Sequence, residues 1–179
     1  EPWERLAWTR AQVLVGSRDL ARRLRSTIEA FVYGPWDVRL PQAMHHIRMR
    51  MEHELGKEGT SRLDLKVGKG GLADIDFMLQ LAQIREGAAN PAFRVPGTRR
   101  LLKALPSTSY IRLEEAERLS EAYRILRTIE TLVRLDADAS ISWISPDPIT
   151  MNAIGTRMEF EDAPGGRLVA QYREVTERV

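Results

Sequence analysis

The sequence contains no cysteine, which excludes disulfides, thiolate catalysis and cysteine-ligated metals. Nowhere do apolar residues run for the roughly 20 positions that a membrane span requires. The charged opening Glu1-Pro2-Trp3-Glu4-Arg5 lacks the apolar stretch of a secretion signal. Neither sign of charge dominates, with 27 cations against 25 anions in 179 residues. The cations are nearly all arginine, lysine occurring only at Lys57, Lys66, Lys69 and Lys103, and they are interleaved with Glu and Asp. Interleaving of this kind marks solvated helix faces with i,i+4 acid partners and not the clustered basic footprint of a nucleic-acid binder. Aromatics are sparse at 7%, and Trp3, Trp8, Trp36 and Trp143 read as core or domain-contact residues rather than stacking platforms for bases. No serine or histidine lies in a context that pairs a nucleophile with its base.

What the chain does have is apolar residues in helical rhythm. A hydrophobic fraction of 43% supplies a core, and the length fits a single domain, residues 1–179. With no Met at position 1, that domain is expected to be a piece of a longer, multidomain protein, and the absence of cysteine fits a cytoplasmic setting.

Trp3, Leu6, Ala7, Arg10, Ala11 and Leu14 predict a first helix, interrupted at Gly16-Ser17. Leu20, Leu24, Thr27, Ile28 and Phe31 predict a second that stops at Gly34-Pro35. Pro41 opens a third, carrying Met44, Ile47, Met51 and Leu55 to Gly56. Residues 57–71 form a charged, glycine-rich connection in which Leu63, Leu65 and Val67 alternate as in an extended segment. Further helices are expected over about 72–85, 98–105, 113–135, 149–157 and 167–179, with loops at Asn90-Pro91, Pro96-Gly97 and Pro146 to Pro148. The class is all-α, a bundle of six to eight helices with short connections.

The residues with most chemical content lie in Leu65-Lys66-Val67-Gly68-Lys69-Gly70-Gly71-Leu72-Ala73-Asp74-Ile75-Asp76-Phe77. Glycines before a helix leave backbone N–H groups unscreened where the helix dipole is positive, and Lys66 and Lys69 add full charges, so a phosphate or carboxylate site is one reading. The other is a flexible entry to a helix whose packing leaves no room for side chains. The spacing matches neither a Walker A loop nor a dinucleotide fingerprint. Asp74 falls in the first helical turn, where an acid meets the dipole favourably. Asp74 and Asp76, two apart, do not share a helix face and make a poor two-metal pair. Asp76, between Ile75 and Phe77, calls for a cationic partner, for which Arg127 or Arg124 is the candidate. Arg127 and Glu130, three apart beside core positions, predict an internal salt bridge. His45, His46 and His53 lie on one predicted helix without a convergent third or fourth ligand, so no metal site is expected.

Several of these segments resemble glutamine synthetase adenylyltransferase. Trp3-Glu4-Arg5-Leu6-Ala7 followed by Thr9-Arg10-Ala11-Gln12-Val13 resembles that family's W-E-x-x-A-x-x-R-A-R-V segment, with Gln12 where Arg is usual. Met49-Arg50-Met51-Glu52 and Asp64-Leu65-Lys66 are similar to its next segments. Gly70-Gly71-Leu72-Ala73-Asp74-Ile75-Asp76-Phe77 resembles G-G-[IL]-x-[DE]-I-E-F, with Asp76 where Glu is usual. Ala122-Tyr123-Arg124-Ile125-Leu126-Arg127, with Glu130, is similar to A-Y-x-x-L-R-x-x-E. Together these cover nearly the whole chain.

The resemblance implies the helical domain that follows a nucleotidyltransferase core in a two-headed bacterial enzyme. One half transfers AMP from ATP to a tyrosine of glutamine synthetase and the other removes it by phosphorolysis. The spacing from Val13 to Met49, and Leu55-Gly56 before the charged link, are more similar to the C-terminal, adenylylating half. The core's G-S-D-x-D carboxylates, which would hold Mg2+ against ATP, do not occur in this sequence; Gly16-Ser17-Arg18-Asp19 lacks the second acid. The chain by itself is therefore expected to have no catalytic residue, no cofactor and no transferase activity. Implied partners are the core in the same chain, glutamine synthetase and a PII-type signal protein, with no nucleic acid or membrane. Lys66, Lys69, Gly70, Gly71, Asp74, Asp76, Arg127 and Glu130 are the candidates for facing or supporting the cleft. The alternatives are the helical domain of a PII uridylyltransferase-like protein and a free-standing interaction module without chemistry.

Overall fold

The computed structural model describes residues 2–56, 62–108 and 110–179, so residues 57–61 of the charged connection lie outside the described residues. Among the described residues there are eight α-helices: α1 (Pro2–Trp8), α2 (Arg18–Val32), α3 (Leu40–Leu55), α4 (Leu72–Glu86), α5 (Thr98–Ala104), α6 (Leu113–Ala137), α7 (Pro148–Arg157) and α8 (Pro164–Glu177). The all-α class is as the apolar spacing predicts. Two 3-10 turns, Pro91–Phe93 and Leu105–Ser107, flank α5. The alternation at Leu63 matures into a minimal antiparallel ladder, β1 (Leu63–Asp64) with β2 (Trp143–Ile144), pairing Leu63 with Ile144 and Asp64 with Trp143.

Local chemistry explains several helix ends. The Ser17 hydroxyl accepts the Leu20 N–H and starts α2, and the Asp147 carboxylate accepts the Thr150 N–H and starts α7 behind Pro148. Two boundaries differ from the apolar spacing. The first helix stops at Trp8, short of Leu14, because the Thr9 hydroxyl donates to the Leu6 carbonyl at 2.6 Å and the next amides close shorter-range turns onto Ala7 and Trp8. The last helix begins at Pro164 rather than Arg167: Ala163 turns the chain at φ 46° and proline's fixed φ suits the first helical position.

The chain divides into two compact units, Glu1–Ile47 with Asp76–Ala116, and Arg48–Ile75 with Glu117–Val179. In the first, Leu6, Val32, Leu40, Met44 and Ile84 form a buried cluster covered by Ile28, Tyr33, Phe77 and Leu81. Arg5 donates to the Val32 carbonyl at 2.7 Å, supplying a cation to the end of α2. The Gln83 amide donates to the Phe93 and Val95 carbonyls and pins the loop after α4.

In the second unit the buried residues include Leu65, Leu72, Ile75, Leu126, Ile129, Ile144, Ile154 and Leu168. Two glycines let α7 and α8 meet backbone to backbone. A Cβ on Gly155 would lie 2.2 Å from the Pro164 carbonyl oxygen, and Gly165 donates its N–H to Asn152 Oδ1. Of the two placements expected for the tryptophans, core or domain contact, the core is not that of Trp3, Trp8 and Trp36, which are exposed; Arg85 and Arg62 lie over the rings of Trp36 and Trp143. An indole is stable at a surface where a guanidinium covers its face.

Candidate functional site

Asp64 opens the glycine-rich stretch with a turn. Its Oδ1 accepts the N–H groups of Lys66 (3.1 Å) and Val67 (2.9 Å), and its Oδ2 accepts from Arg62 at 2.7 Å. Its carbonyl accepts the Tyr172 hydroxyl from α8. The turn then hands its own carbonyls to the start of α4: the Leu72 N–H donates to Leu65 O and the Ala73 N–H to Lys66 O. The amides that a helix start leaves unpaired are thereby bonded within the chain.

Asp74 closes the same turn from the other side. Its Oδ2 accepts the Gly70 N–H at 2.8 Å, so the anion at the glycine backbone is the protein's own carboxylate. Arg48 of α3 grips that carboxylate with both arms, Nε to Oδ1 at 2.7 Å and Nη2 to Oδ2 at 2.6 Å. Nη2 also donates to the Gly68 carbonyl, and Nη1 lies 3.2 Å from Glu52. Arg48 is only 5% exposed, so its charge is balanced internally by Asp74 and Glu52.

Both glycines are buried for steric reasons. Gly70 has φ +69°, and a Cβ there would lie 1.8 Å from the Thr176 carbonyl oxygen of α8. A Cβ on Gly71 would meet the carbonyls of Gly68, Leu65 and Lys66 at 2.9–3.0 Å. The geometry is that of a close-packed helix start, with Lys66 and Lys69 exposed on its rim.

The partner expected for the two aspartates differs. Arg127 does not serve them: Asp74 is held by Arg48, and Asp76 in the first unit pairs with Arg10 at 2.7 Å and accepts the Thr98 hydroxyl at 2.5 Å. Two residues apart on α4, the aspartates point in different directions, and each takes the cation on its own side. Arg127 is engaged within α6. There the expected Arg127–Glu130 bridge forms at 2.7 Å, and Arg127 Nε donates to the Tyr123 hydroxyl. Burial opposes the Arg127 charge, yet its bonds to Tyr123 and Glu130 hold its pKa above the ordinary arginine value.

Glu130, 2% exposed, is the centre of a wider network. It accepts from Arg127, from Arg134 at 2.8 Å and from the Ser142 hydroxyl at 2.7 Å. Arg134 donates on to the Ile141 carbonyl, and the Ser142 carbonyl accepts the Leu65 N–H. A continuous run of bonds therefore links Glu130 on α6 to β1 and the glycine turn.

Arg48, Asp64, Arg134 and Arg10 were not singled out from the sequence. A signal exists for Arg48, since Leu40, Met44 and Arg48 follow at i, i+4, i+8, and a cation on a buried stripe implies an internal carboxylate. Among the described residues no three His, Cys, Asp or Glu side chains converge as a metal site. No helix among them is long and apolar enough to cross a membrane.

A family profile described as GlnD PII-uridylyltransferase matches residues 41–179. Proteins named bifunctional glutamine synthetase adenylyltransferase/adenylyl-removing enzyme are similar over most of the chain. The one from Burkholderia mallei is 28% identical, covering 89% of this chain and 18% of its own length. The one from Bordetella pertussis is 28% identical, covering 96% and 20%. The one from Streptomyces avermitilis is 29% identical, covering 98% and 18%. The chain thus spans about a fifth of the length of these relatives. With the glycine–aspartate turn and the Arg127–Glu130 helix both inside the matched span, the chain belongs to the GlnD PII-uridylyltransferase family and is similar to one segment of the glutamine synthetase adenylyltransferases.

Proposed function

We propose that this chain is the helical accessory part of a bifunctional glutamine synthetase adenylyltransferase/adenylyl-removing enzyme, more specifically of its C-terminal, AMP-attaching half. The observation that carries the reading is the similarity to relatives of that name over 89–98% of the chain. In the intact enzyme AMP would pass from ATP, with Mg2+, to a tyrosine of glutamine synthetase, and a phosphorolytic half would remove it. The residues here do not fit a metal: Asp74 is closed off by Arg48, and Asp76 by Arg10 and Thr98. On this reading metal and nucleotide chemistry belongs to a core outside the chain, and the isolated chain has no transferase activity. Its role is to hold a rigid turn, with Lys66 and Lys69 toward the cleft and Gly70, Gly71, Asp74, Arg127 and Glu130 as support, while Asp76 serves the first unit through Arg10 and Thr98. Glutamine synthetase and a PII-type signal protein would dock on the assembled, cytoplasmic enzyme.

The test is AMP transfer to glutamine synthetase by the intact enzyme carrying Asp74→Asn and Asp76→Asn. A sharp fall is expected, because Asp74→Asn leaves the buried Arg48 without its carboxylate and Asp76→Asn removes the carboxylate that pairs with Arg10. Wild-type transfer in the double variant would sink the proposal. A second reading, the helical part of a PII uridylyltransferase, is favoured by the description of the matching family. Offering the intact enzyme ATP with glutamine synthetase, and UTP with a PII protein, separates the two.

A further inference from the structure

A cavity of about 370 Å3 lies wholly within the first unit. Three arginines line it from three separate segments: Arg25 on α2, Arg94 after the first 3-10 turn, and Arg100 on α5. Glu29 on α2 is the one carboxylate in that lining, 3.7 Å from Arg94. Among the described residues, Arg25 and Arg100 carry no ion pair and both are exposed. Arg94 is held in place by donating to the Gly87 carbonyl at 2.5 Å and the Ala88 carbonyl at 2.9 Å, with its guanidinium 5.4 Å over the Tyr33 ring. Burial first, then the neighbouring Glu29, raises the Tyr33 pKa, so its phenol stays neutral and presents an aromatic wall. Trp8 supplies a second aromatic surface.

Cations that line one cavity repel unless an anion joins them, and a guanidinium fork matches carboxylate and phosphate oxygens in pairs. Three cations against one acid leave the lining short of two negative charges. The volume is in the range of small-molecule sites.

We propose that this cavity binds a small organic dianion bearing a planar apolar part, with Arg25 and Arg100 on the anionic group and Trp8 and Tyr33 against the ring. The chemistry is shared by aromatic phosphomonoesters and aromatic dicarboxylates. It stands apart from the transferase reading, since the cavity residues have no part in that reading.

The full 179-residue chain is titrated with phenyl phosphate, phthalate and neutral benzamide, following the Trp8 indole N–H by NMR and the heat by calorimetry. Saturable binding of a dianion but not of benzamide is expected, weakening as salt is raised. Which dianion binds more tightly distinguishes the phosphate source from the carboxylate source. Arg25→Gln with Arg100→Gln should weaken binding about tenfold, the equivalent of two lost solvent-exposed charge contacts, while the two Arg→Lys changes retain part of it. Both side chains are exposed, so the amide spectrum should stay native; if the double variant does not fold, Arg100→Gln alone carries the same expectation at several-fold. No saturable binding of either dianion at about millimolar concentration, or equal affinity in the glutamine variants, would overturn the proposal.

Discussion

Gly70→Ala is the sharpest probe of the glycine turn. The position has φ +69°, which costs an L side chain about 1–2 kcal/mol. The new methyl would also sit 1.8 Å from the oxygen, 2.6 Å from the carbon and 2.8 Å from the Cα of Thr176. Those atoms are α8 backbone, so no rotamer change relieves the clash and either the turn or the helix must move. Overpacking of that kind adds about 1–3 kcal/mol. The expected loss is about 3–4 kcal/mol, a large share of the 5–15 kcal/mol by which domains are stable. For a chain of this length that lowers Tm by about 10 °C. Gly97→Ala is the control, since Gly97 also has positive φ (+91°) but no atom within 4 Å of its Cβ position. It should show the strain alone, at about 1–3 kcal/mol. Urea unfolding followed by circular dichroism measures both. Equal losses in the two variants would refute the argument that contact with α8, rather than conformational freedom, demands glycine at position 70.

Glu130→Ala removes the acceptor shared by Arg127, Arg134 and Ser142. Breaking a buried ion pair typically costs about 3–5 kcal/mol. The two arginine side chains are 41% and 39% exposed and can recover water, so about 2–3 kcal/mol is expected here. The Leu65 amide should lose hydrogen-exchange protection in step, and an unchanged Leu65 rate would break the proposed run of bonds. Asp147 is held at a pKa of about 2, below its ordinary 3.8, by the Thr150 N–H and then by the hydroxyls of Ser145 and Thr150. A depressed carboxylate contributes stability that is complete above about pH 4 and is lost as pH falls toward 2. Asp147→Asn keeps a capping oxygen but no charge, so it should flatten that part of the stability–pH curve, measured by urea unfolding at pH 2 to 5. An identical slope in the variant would count against the assignment.

Local rules made much of this molecule legible. Ser17, Gly34, Pro41 and Pro148 mark helix ends by chemistry confined to a few residues, and the apolar period identified the helices between them. The pairing of Arg127 with Glu130 was readable for the same reason, because residues three apart on a helix must be neighbours. Thr9 shows the limit: its hydroxyl competes for the Leu6 carbonyl and ends α1 while the apolar pattern continues.

The sequence by itself therefore determined an all-α chain, the family resemblance and the place of its glycine–aspartate turn. All three rest on residues close together in the sequence, the apolar period of each helix and motif segments of a few residues. Only the tertiary structure decided what that turn is for. Asp74 meets Arg48 from 26 residues away and Gly70 meets the backbone of Thr176. Such contacts depend on how separate helices are brought together, which no local period encodes. The same reason explains why Asp76 found Arg10 and not Arg127. A charge on a helix states that it needs a partner, but packing chooses which one.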